Sequence, residues 1–159
     1  MLEKLEQILN DLSVLHSKLL LIVGPPRSGK TILLRTISEL RKTVPLNVSR
    51  SLGSLLAGMP PTQRQLTAGN LLRQLAEEHS PEETLILDNP ELLFDRSLKL
   101  DPLALLKQIS RSRRVVAAWP GEVQNGRLKY AEIGHPEYQD YGINGLTILP
   151  LQQTSKGRA

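Results

Sequence analysis

Leu19–Thr31 reads LLLIVGPPRSGKT. The first five residues, Leu19-Leu20-Leu21-Ile22-Val23, form an apolar run long enough for one buried strand. The pattern G-x-x-x-x-G-K-T follows, as Gly24, Pro25, Pro26, Arg27, Ser28, Gly29, Lys30 and Thr31. Ile32, Leu33, Ile37 and Leu40 then recur as a helical pattern. Strand, glycine-rich loop and helix in this order form the context of a phosphate-binding P-loop. Loop and helix N-terminus aim backbone N–H groups at phosphate oxygens. Lys30 adds a point charge for the β- and γ-phosphates, and the Thr31 hydroxyl is a ligand for Mg²⁺. Candidate nucleotide-binding residues therefore run from Gly24 through Ile32. Arg27 stands where many such loops carry glycine, and it has three readings: facing solvent, a partner or the nucleotide.

A second stretch, Thr84-Leu85-Ile86-Leu87-Asp88, is strand-like and ends in an acid. It resembles a Walker B strand, whose Asp holds Mg²⁺ through water opposite the loop threonine. Asp88 is thus the second candidate metal residue. The position after it is Asn89, not the glutamate often found there. Glu91 follows Pro90. It is a candidate to orient or deprotonate an attacking water if the turn brings it round. It reads equally as an acid favoured at a helix start by the helix dipole. Arg111, Arg113 and Arg114 either complement a helix C-terminus or supply a trans-acting arginine finger or phosphate contact.

Composition narrows the function classes. The chain has 159 residues, 40% apolar and 23% charged, as a soluble one-domain protein would. It has no cysteine, which excludes disulfides and thiolate metal sites and suits a reducing cytoplasm. No apolar run approaches the roughly 20 residues of a membrane span, and the N-terminus lacks a signal-peptide core. A net charge of +4 allows a nucleic-acid partner without requiring one. Aromatic residues at 3% argue against a row of base-stacking side chains.

The rest of the chain reads in order. Residues 2–16 form an amphipathic helix with Leu2, Leu5, Ile8, Leu9, Leu12 and Leu15 on one side. That face either packs on the sheet edge or makes a subunit contact. Pro45–Val48 is a short strand and Ser51–Gly58 a short helix. Thr62 is an N-cap for a helix to His79, with Leu66, Leu71, Leu72 and Leu75 apolar. Glu91–Leu100 is irregular, and Asp101-Pro102 opens another helix. Val115–Trp119 is a strand, Asn125-Gly126 a hairpin turn and Leu128–Ile133 its return strand. Gly134–Tyr138 is loop-like, 146–149 is a last strand and 154–159 a loose tail.

Five main strands, 19–23, 45–48, 84–88, 115–119 and 146–149, alternate with helices, which predicts an α/β fold with a mostly parallel sheet. An acid on the third strand resembles the RecA-like and AAA+ branch of P-loop ATPases. That resemblance implies a three-layer P-loop core with strand order 5-1-4-3-2, here without a C-terminal lid. In such ATPases a polar residue often ends the fourth strand and senses the γ-phosphate; Ala118 and Trp119 take that place here. The stretches LLLIVGPPRSGKT, LILDNPELLFDRSLKLDPLALL, VVAAWPG and LKYAEIGHPEY are more specific. Over about residues 15–150 they resemble the BrxF family, the small P-loop proteins of type 3 BREX phage-defence systems. The resemblance implies a bacterial cytoplasmic NTPase working beside other BREX proteins, including a methyltransferase and a larger ATPase. It carries over only the Walker residues.

The reading that follows is an ATP- and Mg²⁺-dependent ATPase subunit of a defence complex acting on DNA, with Lys30, Asp88 and Glu91 as catalytic candidates. A homo-oligomer is expected, since no cis group is evident to stabilise charge on the transferred phosphoryl. The competing readings are a non-hydrolysing nucleotide switch or scaffold, and a small P-loop kinase. The kinase reading is disfavoured, because Asn47-Val48-Ser49-Arg50 brings no acid after the second strand.

Overall fold

The structure is a computed structural model, described for residues 2–12, 18–25, 27–79, 84–130, 139–142 and 146–151. Along the chain the elements are α1 (Leu2–Leu12), β1 (Leu19–Val23), α2 (Lys30–Arg41), β2 (Leu46–Asn47), α3 (Val48–Leu56), α4 (Pro61–His79) and β3 (Thr84–Asp88). Two 3-10 turns follow, Glu91–Phe94 and Arg96–Leu98. Then come α5 (Pro102–Ile109), β4 (Arg114–Trp119), β5 (Glu122–Gln124), β6 (Arg127–Tyr130), β7 (Gln139–Gly142) and β8 (Thr147–Pro150).

Every residue of β1 is buried, which requires cover on both faces of its sheet. β1 sits between β4 and β8, parallel to both, with Leu19 opposite Val115 and Leu20 opposite Thr147. β3 adds to β4, and β2 to β3, again parallel. The order β2-β3-β4-β1-β8 is the expected 5-1-4-3-2 in terms of the five main strands. The chain thus has a P-loop α/β core. Alternation along the strands divides the core in two. Leu20, Ile22, Ile86, Val116 and Ala118 face α1 and α2. Leu21, Leu85, Leu87, Val115, Ala117 and Trp119 face α3, α4, α5 and the 3-10 turns.

The helices correct several sequence expectations. α1 is described over Leu2–Leu12, and residues 13–16 of the expected helix lie outside the described residues. Leu5, Leu9 and Leu12 are fully buried against the sheet face beside Leu34 and Ile37, so these three leucines of the stripe are intramolecular core. β2 has only two residues, because Asn47 turns to cap α3 by accepting the Arg50 N–H at 3.0 Å. Thr62 is not a cap: α4 begins at Pro61, whose ring pre-sets a helical φ. α4 buries Ala68, Leu72 and Ala76, while Leu66 is 75% exposed. Asp101 does cap α5, its Oδ1 accepting the Ala104 N–H at 3.1 Å.

Asn125 and Gly126 both have positive φ, as a two-residue type I′ hairpin requires. They join β5 and β6, and β7 extends the antiparallel sheet on the other side of β6. β7 was not expected, for Gln139-Asp140-Tyr141-Gly142 lacks an apolar alternation. This small sheet is anchored by rings: Phe94 stacks on Tyr130, and Trp119 meets Phe94 and Tyr141 edge to face. Residues 131–133 of the expected return strand, the Gly134–Tyr138 stretch and the 154–159 tail lie outside the described residues. Among the described residues, no helix is long and apolar enough to cross a membrane.

Candidate functional site

β1 delivers the chain to the C-terminal end of the sheet, where crevices form in open parallel sheets. Gly24 leaves the strand with its N–H donating to the Trp119 carbonyl at 3.1 Å. The loop doubles back so closely that a Cβ on Gly24 would run into Ser28 Oγ. Gly29 stands at the N-cap of α2 with φ 95°, and Leu33 N–H donates to its carbonyl at 3.0 Å. Arg27 also has positive φ, 63°, which explains why other loops use glycine there. An L-residue in this region costs about 1–2 kcal/mol. Pro26 lies outside the described residues.

A cavity of about 680 Å³ opens over this loop. From the loop and α2 it is lined by Arg27, Gly29, Lys30, Thr31 and Ile32; from the ends of the strands, by Asn47, Asp88, Asn89, Pro90, Glu91 and Ala118. Gly24, Pro25 and Ser28 form the loop beneath without lining it. Lys30 Nζ donates to the carbonyls of Gly24 at 2.6 Å and Pro25 at 2.9 Å, so it braces its own loop. Burial lowers the Lys30 pKa, and the charges of Glu91 and then Asp88 oppose that shift. Thr31 Oγ1 donates to Asp88 Oδ1 at 3.3 Å. A hydroxyl and a carboxylate this close, beside a phosphate cradle, suit a hard cation that takes only one or two protein ligands. Ile32, expected on the apolar face of α2, is 68% exposed and faces the cavity rather than the core.

β3 ends at Asp88, and the chain turns sharply because Asn89 adopts φ 52°. Asn89 N–H donates to Asp88 Oδ1 at 2.9 Å, and Asn89 Nδ2 donates to Asn47 Oδ1 at 3.1 Å. This turn carries Glu91 to the cavity wall, at the start of the first 3-10 turn. Asn47 did not figure among the sequence candidates. The signal for it was its place at the C-terminal end of a parallel strand. Trp119 occupies the end of β4, but its indole N–H donates to the Lys129 carbonyl at 3.2 Å, so it points into the small sheet.

Arg111, Arg113 and Arg114 do not line the cavity. Arg114 opens β4, whose six residues, at about 3.3 Å each, separate it from the cavity end. Arg113 is tied to α4 through the Ala76 carbonyl at 3.1 Å and an ion pair with Glu77, its side chain 9% exposed. Arg111 is exposed.

No protein-family model and no curated protein matches the chain. Among solved structures it is similar to PCH-2 of C. elegans, with a TM-score of 0.48 and 17% sequence identity. The similarity covers 96% of this chain and 42% of that one, so this chain spans less than half of the PCH-2 chain's length.

Proposed function

We propose that this chain is a single-domain, Mg²⁺-dependent ATPase subunit of a bacterial phage-defence complex of the BREX kind, working on DNA in the cytoplasm. The observation that carries the ATPase reading is the shared cavity of Lys30, Thr31, Asp88 and Glu91. Lys30 Nζ exchanges its loop carbonyls for oxygens of the β- and γ-phosphates. Thr31 and Asp88 would hold Mg²⁺, which would supply positive charge against the negative charge of the phosphates. Glu91 accepts a proton from the attacking water. The water oxygen bonds to the γ-phosphorus while the bond to the β–γ bridging oxygen breaks, and the electron pair leaves with ADP. Ile32 offers an apolar contact for the nucleoside. The defence-complex reading is supported by the DNPELLF and GHPEY stretches alone.

One observation favours a second reading, a nucleotide-dependent switch or scaffold without turnover. The end of β4 presents Ala118 to the cavity and commits the Trp119 indole elsewhere, so the polar group that often senses the γ-phosphate is missing there. A kinase remains the weaker alternative. If hydrolysis needs an arginine in trans, a homo-oligomer supplies it, and Arg111 is the exposed member of its cluster. Such an arginine is worth about 10³–10⁵ in rate.

The test is phosphate release from ATP with Mg²⁺, alone, with DNA and with the other proteins of the complex, beside nucleotide affinity by calorimetry. Lys30→Ala is expected to abolish binding, since the cradle loses its cation. Equal affinity in Lys30→Ala and wild type would refute the nucleotide site. Tight binding with no phosphate release under any condition would replace the ATPase reading by the switch.

A further inference from the structure

Glu91 reaches the cavity only through the turn after β3, and a residue outside the cavity lining holds that turn. Ser49 lies in the first turn of α3. Its N–H donates to the Asn89 carbonyl at 2.9 Å, and its Oγ donates to the same carbonyl at 2.7 Å. That Oγ also accepts the Leu92 N–H at 2.9 Å. One hydroxyl thus bridges the residues on either side of Pro90-Glu91. Asn89 is held in its left-handed conformation at one end of the bridge. At the other, the buried side chains of Leu93 and Phe94 anchor the turn in the core. The Glu91 side chain between them is exposed, so its own packing does not set where the carboxylate stands.

We propose that Ser49 is a positioning residue: by clamping Asn89 and Leu92 it holds the Glu91 carboxylate over Lys30, Thr31 and Asp88, and so couples α3 to water activation. The proposal rests on the assignment of Glu91 as proton acceptor. Without the hydroxyl, the left-handed Asn89 loses one of the two bonds on its carbonyl and Leu92 N–H loses its partner. The turn then relaxes and the carboxylate moves. A shift of about 1 Å in a catalytic group can cost on the order of 100-fold in rate. Ser49 does not line the cavity, so nucleotide affinity has no reason to change with it.

The experiment uses the full chain as wild type, Ser49→Ala, Ser49→Thr, Glu91→Gln and the double variant Ser49→Ala/Glu91→Gln. Phosphate release from Mg-ATP is measured at saturating nucleotide, with whatever partner proteins the wild type needs. ATP affinity is read by calorimetry. Exchange of the Leu92 amide is followed by NMR. Ser49→Ala is expected to lower kcat by about 10- to 100-fold, with affinity within a factor of about two. Ser49→Thr keeps the hydroxyl and restores the rate. The double variant is no slower than Glu91→Gln, because Ser49 acts through that carboxylate. Leu92 exchanges faster in the two variants that carry Ser49→Ala and keeps its wild-type rate in Ser49→Thr and Glu91→Gln. Additive losses in the double variant, a matching loss of affinity, or an unchanged rate beside a slow Glu91→Gln would overturn the positioning role while leaving the ATPase reading intact. Unchanged Leu92 exchange would overturn the clamp itself, whatever the turnover. A Glu91→Gln variant as fast as wild type, or a wild type without turnover, overturns the proton-acceptor assignment and this proposal with it.

Discussion

Leu9→Ala tests whether α1 is core or a surface for another subunit. Leu9 is 0% exposed and packs with Leu5, Leu12, Leu20, Ile22, Leu34 and Ile37. Truncating a leucine this buried costs about 2.7–5.0 kcal/mol, the spread reflecting how far the cavity collapses. Here one wall is the sheet itself, with Leu20 and Ile22 on a central strand, and a sheet yields little. The upper half of the range is therefore expected, about 4 kcal/mol. For a chain of this size that lowers Tm by about 8–16 °C. Leu66→Ala is the control: at 75% exposure it should stay within about 0.5 kcal/mol of wild type. Thermal unfolding followed by circular dichroism at two protein concentrations, tenfold apart, measures both. A helix held by a second copy would instead show a loss that grows on dilution. Leu9→Ala within about 0.5 kcal/mol of wild type, or a loss seen only at the lower concentration, would refute the reasoning.

Asp88→Ala should weaken the Mg²⁺-dependent part of nucleotide affinity by about 10–100-fold, and Asn89→Ala by much less; calorimetry with and without Mg²⁺ separates them. Gly121→Ala places a Cβ on the Lys129 carbonyl oxygen and near the Trp119 indole nitrogen. It should destabilise by about 1–3 kcal/mol or more and shift Trp119 emission to the red, as denaturant titration would show. Nucleotide affinity should fall on the alkaline side as Lys30 loses its proton, and burial moves that loss below the range of a free lysine. Glu91→Gln removes a charge that raises the Lys30 pKa, so its alkaline limb should begin at lower pH. Superimposable limbs in a pH titration of affinity would argue against that coupling.

Much of the site was legible because its signals are local. A P-loop needs residues at fixed spacing between a strand and a helix, and Gly24, Gly29, Lys30 and Thr31 stand within eight consecutive positions. The acid ending β3, the Asn125-Gly126 hairpin and the Asp101 cap are equally local, as each depends on backbone conformation within a few residues. The strand order followed once the two functional strands were matched to a known layout. What the chain alone did not reveal is what covers each face. Leu9 and Leu66 both recur at helical spacing, yet one is core and the other exposed, because periodicity marks a face without naming its neighbour. β7 has no apolar pattern of its own and exists through its pairing with β6. The clamp on Glu91 is of the same kind. Ser49 and Asn89 are 40 positions apart, and Asn47 meets Asn89 across the ends of β2 and β3. Only a parallel sheet, gathering the C-terminal ends of distant strands at one edge, brings those hydrogen-bonding groups within reach of each other.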